Sequence, residues 1–235
     1  MSTAAADLRE LHQLHLQLEE VCNQLARGPK QIQARRNIVE QREQEIESLK
    51  EELTQLKMAA DQKSLQMKTN EGKILDLKAK LNTATSNREF DIIKSQIEAD
   101  TMANSVLEDE ILEAYETVDA MQTKIAEAEA ARDEAVAEEN RVSTEVAERE
   151  PGLKAEREKL EAALKTAEST LPTTVRQAYD RLVRSHGATA LAPVENKACT
   201  VCFSTYSPNL LVELNMGKYV FCRSCGRLAY LPGDR

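Results

Sequence analysis

Every seventh residue from Leu11 to Leu81 is apolar: Leu11, Leu18, Leu25, Ile32, Val39, Ile46, Leu53, Ala60, Met67, Ile74 and Leu81. Three residues after each lies a companion series, Leu14, Val21, Gly28, Arg35, Arg42, Leu49, Leu56, Lys63, Asn70, Leu77 and Ala84. Alternating steps of three and four keep one stripe of a helix facing a partner. Held over this length, the pattern predicts coiled coil.

The stripe stops at Asn82-Thr-Ala-Thr-Ser-Asn87, a run of residues that favour turns and caps over helix interiors. Ser86 and Glu89 then stand at capping-box spacing, the mark of a new helix start. A second seven-step series follows: Phe90, Ile97, Asn104, Ile111, Val118, Ile125, Arg132, Glu139, Val146, Leu153, Leu160 and Ala167. Its companions include Ile93, Leu107, Ala114, Met121, Ala128, Ala135 and Val142. Two helices of about 75 residues joined by a short turn are expected to fold back as an antiparallel hairpin over residues 1–170, the turn near 82–88, each arm roughly 110 Å long.

Gly28-Pro29 and Pro151-Gly152 interrupt the two arms, since a helical Pro removes a hydrogen bond and kinks the helix. Each break reads either as a hinge that redirects the arm ends or as a local kink with no role. If the breaks face each other, the fold-back centre lies near residue 90; the capping box puts it nearer 85, and is preferred. Arg35 and Arg42 fall at companion positions opposite the stretch from Glu138-Glu139 to Glu145. They are expected either to pair across the arms and fix register, or to cover the seam with their stems while the guanidinium heads reach water. His12, His15 and Cys22 read as flank positions on a helix, because no fourth ligand lies near them.

Beyond Leu171-Pro172 the pattern changes. Val175, Tyr179, Leu182 and Val183 predict a short amphipathic helix ending at Gly187. The rest of residues 171–235 is aromatic and strand-like, with Leu210-Leu-Val-Glu-Leu214 and Lys218-Tyr-Val-Phe-Cys222 among the candidate strands. Within it stand Cys199-x2-Cys202, nineteen intervening residues, and Cys222-x2-Cys225. Two residues between cysteines let each pair bite one ion from a tight turn, and a hairpin returns the second pair to the first. The expectation is a zinc ribbon: one structural Zn2+ held by Cys199, Cys202, Cys222 and Cys225. His186 lies close by, but four cysteines already complete a tetrahedral shell. A head this small has too little core to fold unaided, so metal should supply much of its stability. The fold class expected is therefore mainly α, a long coiled-coil hairpin followed by a small β ribbon.

Composition agrees. Aromatics are 3% of residues, Trp is absent and charged residues reach 30%, which leaves little bulk for a wide globular core. No apolar run is long enough to span a membrane. The opening Met1-Ser-Thr-Ala-Ala-Ala-Asp lacks the basic and apolar regions of a secretory signal, so a cytoplasmic, thiol-reducing setting is expected. Residues 172–235 hold eight Lys/Arg and four Asp/Glu, while the rest of the chain carries a net −13. An acidic rod repels nucleic-acid phosphate along its length, whereas a mildly basic head does not.

Leu171-Pro172, Tyr179, Leu182, Ala192-Pro-Val-Glu195, Leu214, Gly217, Val220 and Cys222-x2-Cys225-Gly226-Arg227-Leu228 resemble the bacterial C4-type zinc-ribbon family with an N-terminal coiled-coil hairpin. Asn87-Arg-Glu-Phe90 and Leu107-Glu-Asp-Glu-Ile-Leu112 are similar to that family's hairpin segment. The resemblance spans nearly the whole chain and departs at Phe203-Ser-Thr-Tyr-Ser-Pro208, where the family carries small residues and prolines. It implies a bacterial regulatory adaptor that binds the alternative sigma factor sigma-54, with links in some members to flagellar gene expression, flagellar messenger RNA or secretion machinery. Transcription regulation through protein–protein interaction is thus the first expectation.

Nucleic-acid binding by the head is the second. Arg176, Arg181, Arg184, Lys218, Arg223 and Arg227 supply charge, and Phe203, Tyr206, Tyr219, Phe221 and Tyr230 could stack on bases. Against that, Tyr219 and Phe221 are expected to form the small core around the metal rather than to stack. No nucleophile–base set, phosphate loop or open metal position is found, so an enzyme is not expected. The heptads leave the oligomeric state open, because a hairpin already satisfies one seam.

Overall fold

The computed structural model describes residues 3–232; Met1, Ser2 and residues 233–235, counted above for charge and for the N-terminal reading, lie outside it. The chain is mainly α. Helix α1 (Thr3–Leu81) and helix α2 (Asn87–Ser169) pack together as a hairpin, and a small domain follows. That domain comprises α3 (Thr173–His186), a 3-10 turn (Gly187–Ala190), β1 (Leu191–Glu195), β2 (Ala198–Cys199), α4 (Pro208–Asn215), β3 (Val220–Phe221) and β4 (Leu228–Tyr230). Residues gather into two compact units, Gln33–Arg141 and Met1–Ile32 with Val142–Arg235.

In the unit Gln33–Arg141 the heptads do what their spacing predicts. Val39, Ile46, Ala60 and Ile74 of α1 are buried, as are Leu107, Ile111, Val118, Met121 and Ile125 of α2. Phe90, the first member of the second series, is 44% exposed and stands outside the seam. Ion pairs cross between the helices at Arg35–Glu138 (3.6 Å), Arg36–Glu139 (3.3 Å), Lys50–Glu129 (2.6 Å) and Lys63–Glu110 (3.0 Å). Their numbering rises on α1 as it falls on α2, so the helices are antiparallel. Arg42 follows the second of its two expectations: its head reaches water and pairs with Glu45 one turn along its own helix, at 2.8 Å. Both Arg35 and Arg42 are exposed. Their heads prefer water to a desolvated seam, and of the two Arg35 is the one that also pairs across, with Glu138.

The turn occupies residues 82–86. The Ser86 hydroxyl accepts the Glu89 amide at 3.2 Å, and the Glu89 carboxylate accepts the Thr85 amide at 3.2 Å. This is the capping arrangement with the return bond one residue early, and it satisfies amides that the first turn of a helix leaves orphaned.

In the other unit, α1 continues through Pro29 and α2 through Pro151, so neither proline interrupts its helix. Nor do the two breaks face each other. Gly28 is buried against Val146, and a Cβ built at Gly28 would come within 2.8 Å of the Val146 Cγ1. Gly28 is glycine because the two helices pass too closely there for a side chain.

The four-stranded sheet runs β2-β1-β4-β3, with β1 parallel to β4 and antiparallel to β2, and β3 antiparallel to β4. Its alternation divides the core in two. Leu191, Leu228 and Tyr230 join Leu8 and Leu11 of α1, Leu171, and Val175 and Tyr179 of α3. Ala192, Val194, Ala229 and Val220 join Tyr206, Leu214, Cys199 and Cys222. One face of the sheet is thus covered by α1 and α3 and the other by the cysteine-bearing turns and α4, as the two-residue period of a strand requires. Leu210–Leu214, expected as a strand, is instead part of α4. Ser207 at its N-cap and Pro208 at its first turn start a helix, and only Leu214 of that helix is buried.

Candidate metal centre

Two matching turns bring the cysteines together. In each, the residue after the second cysteine returns its amide to the carbonyl of the first: Phe203 to Cys199 and Gly226 to Cys222, both at 2.8 Å. The Cys199 amide is bonded to the Ser204 carbonyl at 3.0 Å and the Cys222 amide to the Arg227 carbonyl at 2.8 Å. Closing each turn needs a left-handed residue, Gly226 at φ 72° and Phe203 at φ 58°. Glycine adopts this freely; phenylalanine does so against its Cβ.

All four sulfurs lie within 4.8 Å of one another. The pairs Cys199–Cys225 and Cys202–Cys222 are 3.9 and 3.6 Å apart. These separations are far too long for disulfides. They match the roughly 3.8 Å edge of a tetrahedron whose centre is about 2.3 Å from each sulfur, the usual Zn–S distance. The donor set therefore fits one metal ion. Cys199 and Cys222 are buried and Cys202 and Cys225 partly so, with no fifth group needed to complete the shell.

The sulfurs differ electrostatically. The Ser204 hydroxyl and amide bring the Cys202 thiol down to about 6. Burial pushes Cys225 up to about 11. Cys222 feels the same burial, but the Cys225 amide, the Tyr206 hydroxyl and the Ser224 amide outweigh it and hold the thiol below its ordinary value. Tyr206 is raised by burial first and then by the neighbouring Cys222. A shallow cleft beside the cluster is lined by Ser204–Ser207, Leu210 and Cys222–Ser224.

The candidate contact residues do not form one group. Arg176 is tied to Glu168, donating to its carbonyl at 2.8 Å and meeting its carboxylate at 3.5 Å. Arg227 donates to the Thr189 carbonyl at 2.8 Å and fastens the second cysteine turn to the 3-10 turn. Arg181, Arg184, Lys218 and Arg223 are exposed. Among the aromatics Tyr206 and Tyr230 are buried, Tyr219 and Phe221 pack against the helical side of the core, and Phe203 stands 78% exposed. His186 lies outside the cysteine cluster.

His12 and His15 have a role that the sequence reading missed. His12 Nδ1 lies 2.7 Å from the Tyr230 hydroxyl, and His15 Nε2 lies 2.6 Å from that of Tyr179. Tyr179 donates its proton to Glu168 at 3.0 Å, so His15 carries the proton shared with Tyr179. Burial lowers both histidines; repulsion between them lowers His12 further, and Glu19 opposes the shift at His15. The signal was Leu8, Leu11 and His15 recurring on one helix face, a stripe in need of a partner. Cys22 is exposed and free.

No protein-family model matches this chain, and no curated protein does. Solved structures do. CT398 from Chlamydia trachomatis aligns with a TM-score of 0.77 at 14% identity, covering 97% of this chain and 98% of that one. HP0958 from Helicobacter pylori gives 0.68 at 17% identity, with both chains covered in full. A protein from Mycobacterium smegmatis gives 0.55 at 16% identity over 99% of this chain and 100% of the other. The likeness is one of fold. It extends over the hairpin and the small domain together, and no helix among the described residues is long and apolar enough to cross a membrane.

Proposed function

We propose that this chain is a non-enzymatic regulatory adaptor, in which a helical hairpin carries a zinc ribbon that docks on a protein of the bacterial transcription machinery, a sigma-54-type factor. The observation that carries this reading is the closed donor set: four sulfurs within 4.8 Å of one another. Four thiolates fill a tetrahedral zinc shell and leave no position for a water or substrate, so the ion serves folding. The choice of a sigma factor rests on the family resemblance of the cysteine turns and hairpin segment. Titrating the purified zinc-loaded chain into purified sigma-54 by calorimetry tests it. Saturable one-to-one binding is expected, and no heat or mobility change at tens of micromolar would overturn the choice of partner.

RNA binding by the head is the second reading, favoured by one observation: Phe203 presents an exposed ring on a cysteine turn, in a head whose Arg181, Arg184, Lys218 and Arg223 are also exposed. Stacking on a single-stranded base with phosphate contacts from those cations would give an affinity that falls steeply with salt. A flat response to salt, or no binding, removes this reading and leaves the adaptor.

A further inference from the structure

Tyr206 is 7% exposed, and its hydroxyl is fully enclosed without a hydrogen-bond partner among the protein's polar side chains and backbone. The backbone places it firmly. Its amide donates to the Lys197 carbonyl at 2.7 Å, and Thr205 bridges to Ala198 beside the first cysteine. The ring is packed with Val194, Leu214, Cys199 and Cys222. Burying a hydroxyl with no partner is costly, and such groups in native proteins have a reason. Among the groups packed around it are the sulfur-bearing side chains of Cys199 and Cys222. A neutral thiol is a poor acceptor, whereas a metal-bound thiolate is a charged one.

We propose that the Tyr206 hydroxyl donates a hydrogen bond to Cys222 Sγ when that sulfur is a metal-bound thiolate, making Tyr206 a positioning residue of the metal centre. The inference rests on the reading that the four cysteines hold zinc. The O–H turns toward the sulfur, offsets part of the excess negative charge of a four-thiolate shell, and finds the partner it otherwise lacks. Groups that bond to metal ligands hold their orientation and tune the ion.

The test compares the full-length protein with Tyr206→Phe. Zinc affinity, measured by competition with a chromogenic chelator, should fall about 10- to 100-fold. In the cobalt-substituted protein the sulfur-to-metal charge-transfer band should move to lower energy, because a hydrogen bond to the thiolate stabilises the electrons that the transition excites. Melting of the metal-stripped protein should be unchanged. Equal zinc affinity with an unmoved cobalt band would overturn the proposal. So would a stripped variant that melts as much lower as the loaded one, since the hydroxyl would then act in packing alone. A wild-type chain that binds neither metal would defeat the zinc reading itself, which the wild-type titration detects separately.

Discussion

In the hairpin, Val39, Ile46, Ala60, Ile111 and Val118 are buried one layer deep between two helices. In the other unit, Leu11, Leu191 and Leu228 are wholly enclosed and Tyr179 is 1% exposed, by residues that come from both chain ends. The hairpin core repeats along one dimension, and each layer depends on its neighbours alone. The head depends on long-range closure: Leu8 meets Tyr230, and Cys199 meets Cys225. A periodic seam spreads its stability over many weak layers, whereas the head concentrates it in one cysteine cluster and a core closed by residues from both chain ends.

That contrast can be broken most severely at the metal. Cys222→Ser should abolish tight zinc binding and with it most of the head's stability, since structural zinc in finger peptides is worth about 10–16 kcal/mol. Near-ultraviolet tyrosine dichroism should collapse while far-ultraviolet helical signal persists. Loss of both together would mean that the hairpin leans on the ribbon. Tyr179→Phe removes the hydroxyl shared by His15 and Glu168, and should cost about 1–3 kcal/mol in a denaturant melt followed in the head. Gly28→Val forces a methyl into Val146 and should cost about 1–3 kcal/mol, with part restored by adding Val146→Ala. Equal costs with and without Val146→Ala would place the strain elsewhere. Arg35→Gln, at the exposed pair with Glu138, should change stability by less than about 1 kcal/mol. A larger loss would mean that ions, and not aliphatic layers, hold the hairpin.

What could be read from the sequence follows the same division. The heptads, the Ser86–Glu89 cap, the helix ending at Gly187 and the two cysteine pairs are local patterns with fixed spacing, and each appears in the structure where its spacing puts it. Two features escaped, one through a local helix start that the apolar run masked and one through partners distant in the chain. Leu210–Leu214 reads as a strand by its apolar run, yet the Ser207-Pro208 start and a single buried side chain make it helix. Arg42 sits at a seam position by count, and its head turns to Glu45 in solvent, as the second of its two readings expects. His12 and His15 carry no local sign of the tyrosines they meet, which lie 218 and 164 residues away in the chain.

The account turns on four sulfurs around one ion. X-ray absorption on the purified chain, with the metal content of the same sample, measures this directly. One zinc per chain with four sulfur neighbours at about 2.3 Å is the predicted result. A shell containing nitrogen or oxygen, or a metal-free protein with its cysteines paired as disulfides, would contradict it.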